Sequence, residues 1–244
     1  MNIIVDIGNS RVKVVAFEGG SPVGEHVADE PTREWLREVV AHYPSAERAI
    51  VSTTRGDAEE VCRLLREWIA MVLLFDPATT PVPLGNDYLT PQTLGADRLA
   101  AAVGAEAMYP GCDIMIVDFG TAITIDYVEG GSFRGGNIAP GMSMRFKALN
   151  HFTAKLPLCG ATEQTLRYGR TTTEAIEQGV MQGITHEIEG YIAAFMHKYA
   201  KKIIIFTGGD AKYFAKRIKN AIFADCEPVI YGLNTILEYN AEIR

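Results

Sequence analysis

The chain has 244 residues, 48% hydrophobic and 22% charged, a balance that allows one large or two moderate globular domains and excludes disordered, collagenous or mucin-like chains. Twenty-three basic against thirty acidic residues leave a net charge of −7, which repels polyanions and argues against nucleic acid as a partner. Apolar runs such as Ile69 to Phe75 are too short to span a membrane, the start Met1-Asn2-Ile3-Ile4-Val5-Asp6 lacks the pattern of an export signal, and Cys62, Cys112, Cys159 and Cys226 form no Cys-x-x-Cys pair, so a cytoplasmic protein with no membrane contact is expected.

The run Asn2-Ile3-Ile4-Val5-Asp6-Ile7-Gly8 reads as a buried strand that ends in Asp-x-Gly and enters a polar turn. Val12 to Phe17 continues as a second strand, and Gly19-Gly20 turns the chain into a third. Trp35, Leu36, Val39 and Val40 form a helical stripe behind Pro31-Thr32. Val61, Leu64, Leu65 and Trp68 form another behind Asp57, where Glu60 completes a capping-box pattern. Ala49 to Ser52 and Met71 to Phe75 are predicted strands, and the Pro-rich stretch from Pro77 to Pro91 reads as a loop leading to a helix near Leu94 to Met108.

Residues 114–120, Ile-Met-Ile-Val-Asp-Phe-Gly, then repeat the opening pattern, with a second strand at Ala122 to Val128, a glycine pair at Gly130-Gly131 and a third extended segment. The repeat predicts two like domains, 1–111 and 112–244, each opening with three antiparallel strands. Gly135 to Gly141 is expected to be a glycine-rich turn between strand and helix. A long helix follows from about Thr173 to Tyr199, then a strand at Lys202 to Phe206. The helix carries Ile176, Val180, Ile184, Ile188, Ile192 and Phe195, a stripe that either packs on its own sheet or meets a second copy of the chain. The basic cluster Lys212, Lys216, Arg217 and Lys219 reads as a solvated helical face.

Two Asp-x-Gly turns in register, facing a shared cleft, suit a nucleotide: backbone N–H groups bind phosphate oxygens while the carboxylates hold a bridging metal ion. One such turn alone would be an ordinary Asp-Gly turn. No P-loop, G-x-G-x-x-G, H-E-x-x-H or G-x-S-x-G motif occurs, and His26, His42, His151, His186 and His197 show no metal spacing. Gly95-Ala96-Asp97-Arg98 puts a carboxylate and a guanidinium at a helix start, a bland ion pair in isolation. Thr207-Gly208-Gly209-Asp210 ends a strand and opens a helix, where small residues admit a nucleoside or phosphate.

Together these segments resemble one family, the type III pantothenate kinases of the acetate and sugar kinase, Hsp70 and actin superfamily. The resemblance runs through Asp6-Ile7-Gly8-Asn9-Ser10, Tyr88-x-x-Pro91, Gly95-Ala96-Asp97-Arg98, Asp118-Phe119-Gly120-Thr121-Ala122, Gly135 to Gly141, Thr153-Ala154-Lys155-Leu156-Pro157, Thr172 to Gly179 and Thr207-Gly208-Gly209. Ser10 departs from the family's usual Thr but keeps the hydroxyl. The resemblance implies duplicated actin-like, ribonuclease H-like α/β domains, each a mixed five-stranded sheet with helices, with a cleft between them. It also implies ATP-dependent phosphorylation of the primary hydroxyl of (R)-pantothenate to 4′-phosphopantothenate, the first step of coenzyme A biosynthesis, with Mg²⁺ and a monovalent cation, K⁺ or NH₄⁺.

By the same resemblance, Asp6, Ile7, Gly8, Asn9, Ser10, Arg11, Val12 and Lys13 form the first phosphate loop, with Asp6 holding Mg²⁺ through water. Thr121 supplies the hydroxyl of the second loop and Asp118 holds the monovalent cation. Asp97 is the proton acceptor, and Tyr88, Gly95, Ala96, Asp97 and Arg98 bind substrate. Thr172 reaches pantothenate from the partner subunit of a homodimer with a shared pocket, or Thr173 does, since the run Thr171-Thr172-Thr173 leaves the register open by one. With a reference pKa of ~3.9, Asp97 orients the alcohol and takes its proton late, and Arg98 with Tyr88 suits the substrate's own carboxylate. The competing readings are an actin- or Hsp70-like ATPase, against which the short chain speaks, and a transcription regulator like the Bvg accessory factors.

Overall fold

The computed structural model describes residues 1–56, 58–196, 201–218, 222–223 and 227–243. His197, Tyr199, Lys219, Cys226 and the expected cap at Asp57 lie outside the described residues. The chain divides into two compact units, the first comprising Met1–Pro110, Gly131–Arg134 and Glu227–Arg244 and the second Gly111–Gly130 and Gly135–Cys226. This grouping differs from a single cut at 111/112, because the C-terminal helix packs on the first unit.

The first unit opens with β1 (Asn2–Ile7), β2 (Val12–Glu18) and β3 (Ser21–Ala28), followed by α1 (Arg33–Ala41), β4 (Arg48–Thr53), α2 (Ala58–Leu65) and β5 (Met71–Leu74). Its sheet has the order β3-β2-β1-β4-β5, with β1 antiparallel to β2 and parallel to β4. Strand alternation divides the side chains of β1 between two faces. Ile3, Val5 and Ile7 pack with Val12 and Val14 against Leu36 and Val39 of α1 and Val61, Cys62 and Leu65 of α2. Thr32 caps α1 by accepting from the Trp35 N–H, while Glu60 pairs with Arg63.

The opposite face of β1 carries Asn2, Ile4 and Asp6 and meets α3 (Ala96–Met108) and α7 (Pro228–Glu242). There the Asn2 amide donates to Asn234 Oδ1 at 2.8 Å, and the Phe17 and Tyr231 rings meet edge to face at 5.4 Å. Helices α3 and α7 cross backbone to backbone at Gly104 and Gly232. The expected loop before α3 contains a two-residue strand, β6 (Gly85–Asn86), and a 3-10 turn at Pro91–Thr93.

The second unit repeats the pattern with β7 (Asp113–Phe119), β8 (Ala122–Glu129), β9 (Ser132–Pro140), α4 (Met142–His151), α5 (Thr172–Met196), β10 (Lys202–Thr207), α6 (Ala211–Ala215) and β11 (Ile222–Phe223). The sheet order is β11-β10-β7-β8-β9-β6, five strands plus the short β6, whose pairing with Ser132 and Phe133 belongs to the first unit. The expected turn at Gly135 to Gly141 is the extended end of β9, with Gly141 as the N-cap of α4.

The helical stripe of Ile176, Val180, Ile184, Ile188, Ile192 and Phe195 is buried in this unit's own core against Met115, Val117 and Phe119. Of the two readings of that stripe, the structure selects packing on its own sheet, so the stripe offers no surface to a second copy. Among the described residues no helix is long and apolar enough to cross a membrane.

Candidate active site

The period of β1 puts Asp6 on the face that meets α3 and α7, at the end of the strand where α3 begins. Across the ladder Asp6 is paired with Lys13 of β2 and with Ser52 of β4, so the three side chains share one face. Burial pushes the Asp6 carboxyl up to about 7, aided by repulsion from Asp97 and Glu227 and opposed by Lys13. Burial also raises Asp97, against the backbone N–H of Arg98, which donates to Asp97 Oδ1 at 2.9 Å, and the Arg98 charge. The charges of Asp97, Glu227 and Lys13 all act on the Asp6 carboxyl, a local excess of negative charge that a cation would relieve.

The elevated Asp6 pKa has a consequence for stability. Because the folded chain binds this proton more tightly than the unfolded chain, the group's stabilising effect is complete below about pH 4 and is lost as pH rises through 7. In buffer without Mg²⁺ or nucleotide, Asp6→Asn is expected to raise stability over wild type by on the order of 2 kcal/mol at pH 8, a gain that shrinks toward pH 4. Thermal melts across that range check it, and a pH-independent difference would refute it.

The turn after β1 is closed by the Gly8 N–H, which donates to Arg11 O at 3.0 Å. Asn9, Ser10 and Arg11 are exposed on it, whereas Ile7 and Val12 are buried ladder partners that reach a ligand only through their backbone. The Ser10 hydroxyl is therefore open to solvent on this turn.

Helix α3 starts from Gly95, whose missing side chain makes room for Asp97: a Cβ there would lie 2.6 Å from Asp97 Oδ1. Ala96 and Arg98 are buried. The Arg98 guanidinium, only 6% exposed at the residue level, lies 5.6 Å from the Tyr88 ring centroid and 5.9 Å from that of Phe133. Both rings lie within cation–π distance of the guanidinium, whose charge also acts on Asp97, and a guanidinium suits a planar anion such as a carboxylate. Phe133, Ser52 and Glu227 escape sequence reasoning. Phe133 is separated from Arg98 by a strand pairing and Glu227 from Lys13 by 214 residues, although the Asp6-Lys13 hairpin register was open to inspection.

In the second unit, Asp118 is the penultimate residue of β7, in register with Thr207 of β10. Gly208 adopts φ +92° and leaves open a cradle beside the carboxylate, since a Cβ there would sit 2.2 Å from Asp118 Oδ1. Thr121 is exposed, and its carbonyl accepts from the Gly141 N–H at 3.1 Å. At the start of α5, Thr171 and Glu174 form a reciprocal capping box, the Glu174 N–H donating to Thr171 Oγ1 and the Thr171 N–H to Glu174 Oε2. That engages Thr171 and leaves Thr172 and Thr173 exposed on the first turn. Thr172 borders an apolar hollow of about 600 Å³ formed with Leu149, Leu156, Ile176 and Val180.

Among the described residues no three His, Cys, Asp or Glu side chains gather closely enough to hold a metal ion by themselves. A magnesium ion at Asp6 would therefore complete its shell with phosphate oxygens and water, as that ion commonly does.

Two solved structures share this architecture. One is a Campylobacter jejuni protein assigned to the Baf family of transcriptional activators, with a TM-score of 0.66 and 22% identity, covering 98% of this chain and 99% of that one. The other is a Sinorhizobium meliloti protein assigned as a 2-dehydro-3-deoxygalactonokinase, with a TM-score of 0.60 and 13% identity over 98% of this chain and 99% of that one. The fold is thus a duplicated actin-like α/β fold, with a mixed sheet and helices in each unit.

Sequence comparison narrows this further. The sequence model described as Type III pantothenate kinase matches residues 2–194. A Bacteroides fragilis protein of that name is 44% identical over 241 residues, 98% of each chain, and one from Phocaeicola vulgatus is 40% identical over the whole of both. The chain belongs to the type III pantothenate kinase family.

Proposed function

We propose that the acidic corner of the first unit is where this kinase phosphorylates pantothenate, with Asp97 as proton acceptor. Membership of the family makes the chain a kinase that phosphorylates pantothenate at the start of coenzyme A biosynthesis. The observation that carries the site assignment is the Asp97 carboxylate, held against the N-terminus of α3 beside Asp6, with Arg98, within cation–π distance of Tyr88, next to it in sequence.

In this reading Arg98 and Tyr88 receive the substrate's carboxylate, and Gly95 and Ala96 line its path. Asp97 aligns the primary hydroxyl and accepts its proton as the hydroxyl oxygen bonds to the γ-phosphorus of ATP and the bond to the β,γ-bridging oxygen breaks, leaving ADP. Its upward-shifted pKa improves it as an acceptor, while the Arg98 N–H and charge favour the ionised form. Lys13, Ser10 and the exposed turn at Gly8 to Arg11 contact phosphate, and Asp6 faces Mg²⁺ through water. Held there, Mg²⁺ would supply positive charge against the phosphates. Asp118, with the cradle left by Gly208, suits K⁺ or NH₄⁺, and Thr121 adds a phosphate hydroxyl.

We extend the proposal to a homodimer in which Thr172 of one copy completes the pantothenate pocket of the other. Support comes from the engaged Thr171, from the hollow beside Thr172, and from Phe152 and Leu158, which are 81% and 60% exposed on the same unit. Asp97→Asn and Thr172→Arg, each inactive alone, are expected to recover about a quarter of wild-type activity when unfolded and refolded as an equal mixture. Half the dimers are then mixed, and each mixed dimer has one intact pocket. Mixed dimers without activity would place each pocket within one chain. The site assignment as a whole is tested by a phosphorylation assay with ATP, Mg²⁺ and K⁺ across pantothenate, pantetheine, glycerol and acetate. The expected substrate is pantothenate, with the rate collapsing when a large organic cation replaces K⁺.

A further inference from the structure

Lys13 stands on β2 directly across from Asp6, yet its ammonium already has two partners. It pairs with Glu227 Oε1 on one side and with Glu25 Oε1 at 3.4 Å on the other. The lysine side chain is 17% exposed, whereas that of Glu227 is 48% exposed. Glu227 is the N-cap residue of α7: its carbonyl accepts from the Ile230 and Tyr231 N–H groups at 3.0 and 3.2 Å, but its carboxylate makes no capping hydrogen bond. The backbone of Glu227 is therefore fixed by the helix while its carboxylate is free to leave Lys13 for water. A phosphate oxygen approaching Lys13 competes with that carboxylate for the same N–H donors, since a lysine ammonium has only three.

We propose that Glu227 is a positioning residue for Lys13, holding the ammonium in the absence of nucleotide and giving it up to a phosphate oxygen when nucleotide binds. The inference rests on reading Lys13 as a phosphate ligand. It goes beyond that reading by giving Glu227, which lies outside every phosphate-loop segment, control over nucleotide affinity. An ordinary solvated ion pair in the same place would alter stability slightly and affinity for nucleotide not at all.

The test is a double-mutant cycle read as the Kd of Mg·ADP for the full-length chain, by calorimetry at fixed ionic strength. Glu227→Gln is expected to tighten Mg·ADP by about three- to tenfold, the scale of an ion pair no longer to be broken plus a like charge removed from the phosphate. Lys13→Met is expected to weaken it, and in the Lys13→Met background Glu227→Gln should give a clearly smaller gain, the part due to the removed like charge alone. The KM for ATP should fall with Glu227→Gln while that for pantothenate stays. Glu227→Ala gives the same direction if the glutamine variant misfolds, and thermal melts identify that case.

If Lys13→Met weakens Mg·ADP but the Glu227 variants leave its affinity unchanged or weaken it, the exchange is overturned while the phosphate-lysine reading stands. An equal gain from Glu227→Gln with and without Lys13 would also overturn it, leaving only general charge repulsion. If Lys13→Met leaves Mg·ADP affinity intact, the phosphate-lysine reading fails first and takes this inference with it.

Discussion

Replacing Asp97 with asparagine is expected to lower kcat by about 10²–10⁴, the range of a positioned general base, with little change in the affinity for Mg·ATP. Asparagine keeps the shape of the side chain and can still accept from the Arg98 N–H, as Asp97 Oδ1 does at 2.9 Å. It cannot take a proton from the alcohol. Burial disfavours the charged form of Asp97, so the neutral variant should fold at least as well as wild type. Loss of catalysis with a retained or raised melting temperature is thus the expected signature. A structural ion pair would give the reverse, lost stability with turnover preserved, and near-wild-type kcat at saturating pantothenate would remove Asp97 from the reaction.

The second large effect is expected from the packing of two helices rather than from a reacting group. At the crossing of α3 and α7, a Cβ added to Gly232 would lie 1.8 Å from the Ala100 carbonyl oxygen and 2.8 Å from the Gly104 nitrogen, and one added to Gly104 would lie 2.0 Å from the Pro228 oxygen. All of these neighbours are helix backbone, which cannot turn aside. Gly232→Ala therefore forces the helices apart and loosens the contacts of Leu99, Val103, Leu233 and Ile236, all buried. We expect a loss of more than about 4 kcal/mol and failure of the first unit to fold, the range of severe overpacking against backbone. Gly190→Ala in α5 is the matched control. Nothing lies within 4 Å of its added Cβ, and there alanine should stabilise by about 0.5–1 kcal/mol through helix propensity. Chemical denaturation of the two variants distinguishes a steric requirement from a general intolerance of alanine, and a stable Gly232→Ala protein would contradict the packing described here.

The sequence by itself determined the elements whose signals are local. The runs at residues 2–7 and 114–119 were legible as buried strands because alternation and apolar length are properties of a few neighbouring residues. Their shared Asp-x-Gly ending showed the duplication. Asp97, Arg98 and Gly95 stood out as one short segment, and helix α3 begins within it.

What the tertiary structure decided are relations across long stretches of chain. Hydrophobic period marks a helix face as one to be covered but does not say by what. The Ile176 to Phe195 stripe was equally compatible with a second copy, and only the packing of Met115, Val117 and Phe119 against it settled the matter. Phe133 joins Tyr88 around Arg98 through the two-residue pairing of β6 with β9, too short to leave a pattern. Glu227 meets Lys13 across 214 residues of sequence. Their encounter depends on α7 returning to the first unit, where two glycines bring its backbone against α3 more closely than any side chain would allow. Such pairings are fixed by which surfaces fit when the whole chain condenses, a condition that no single segment carries.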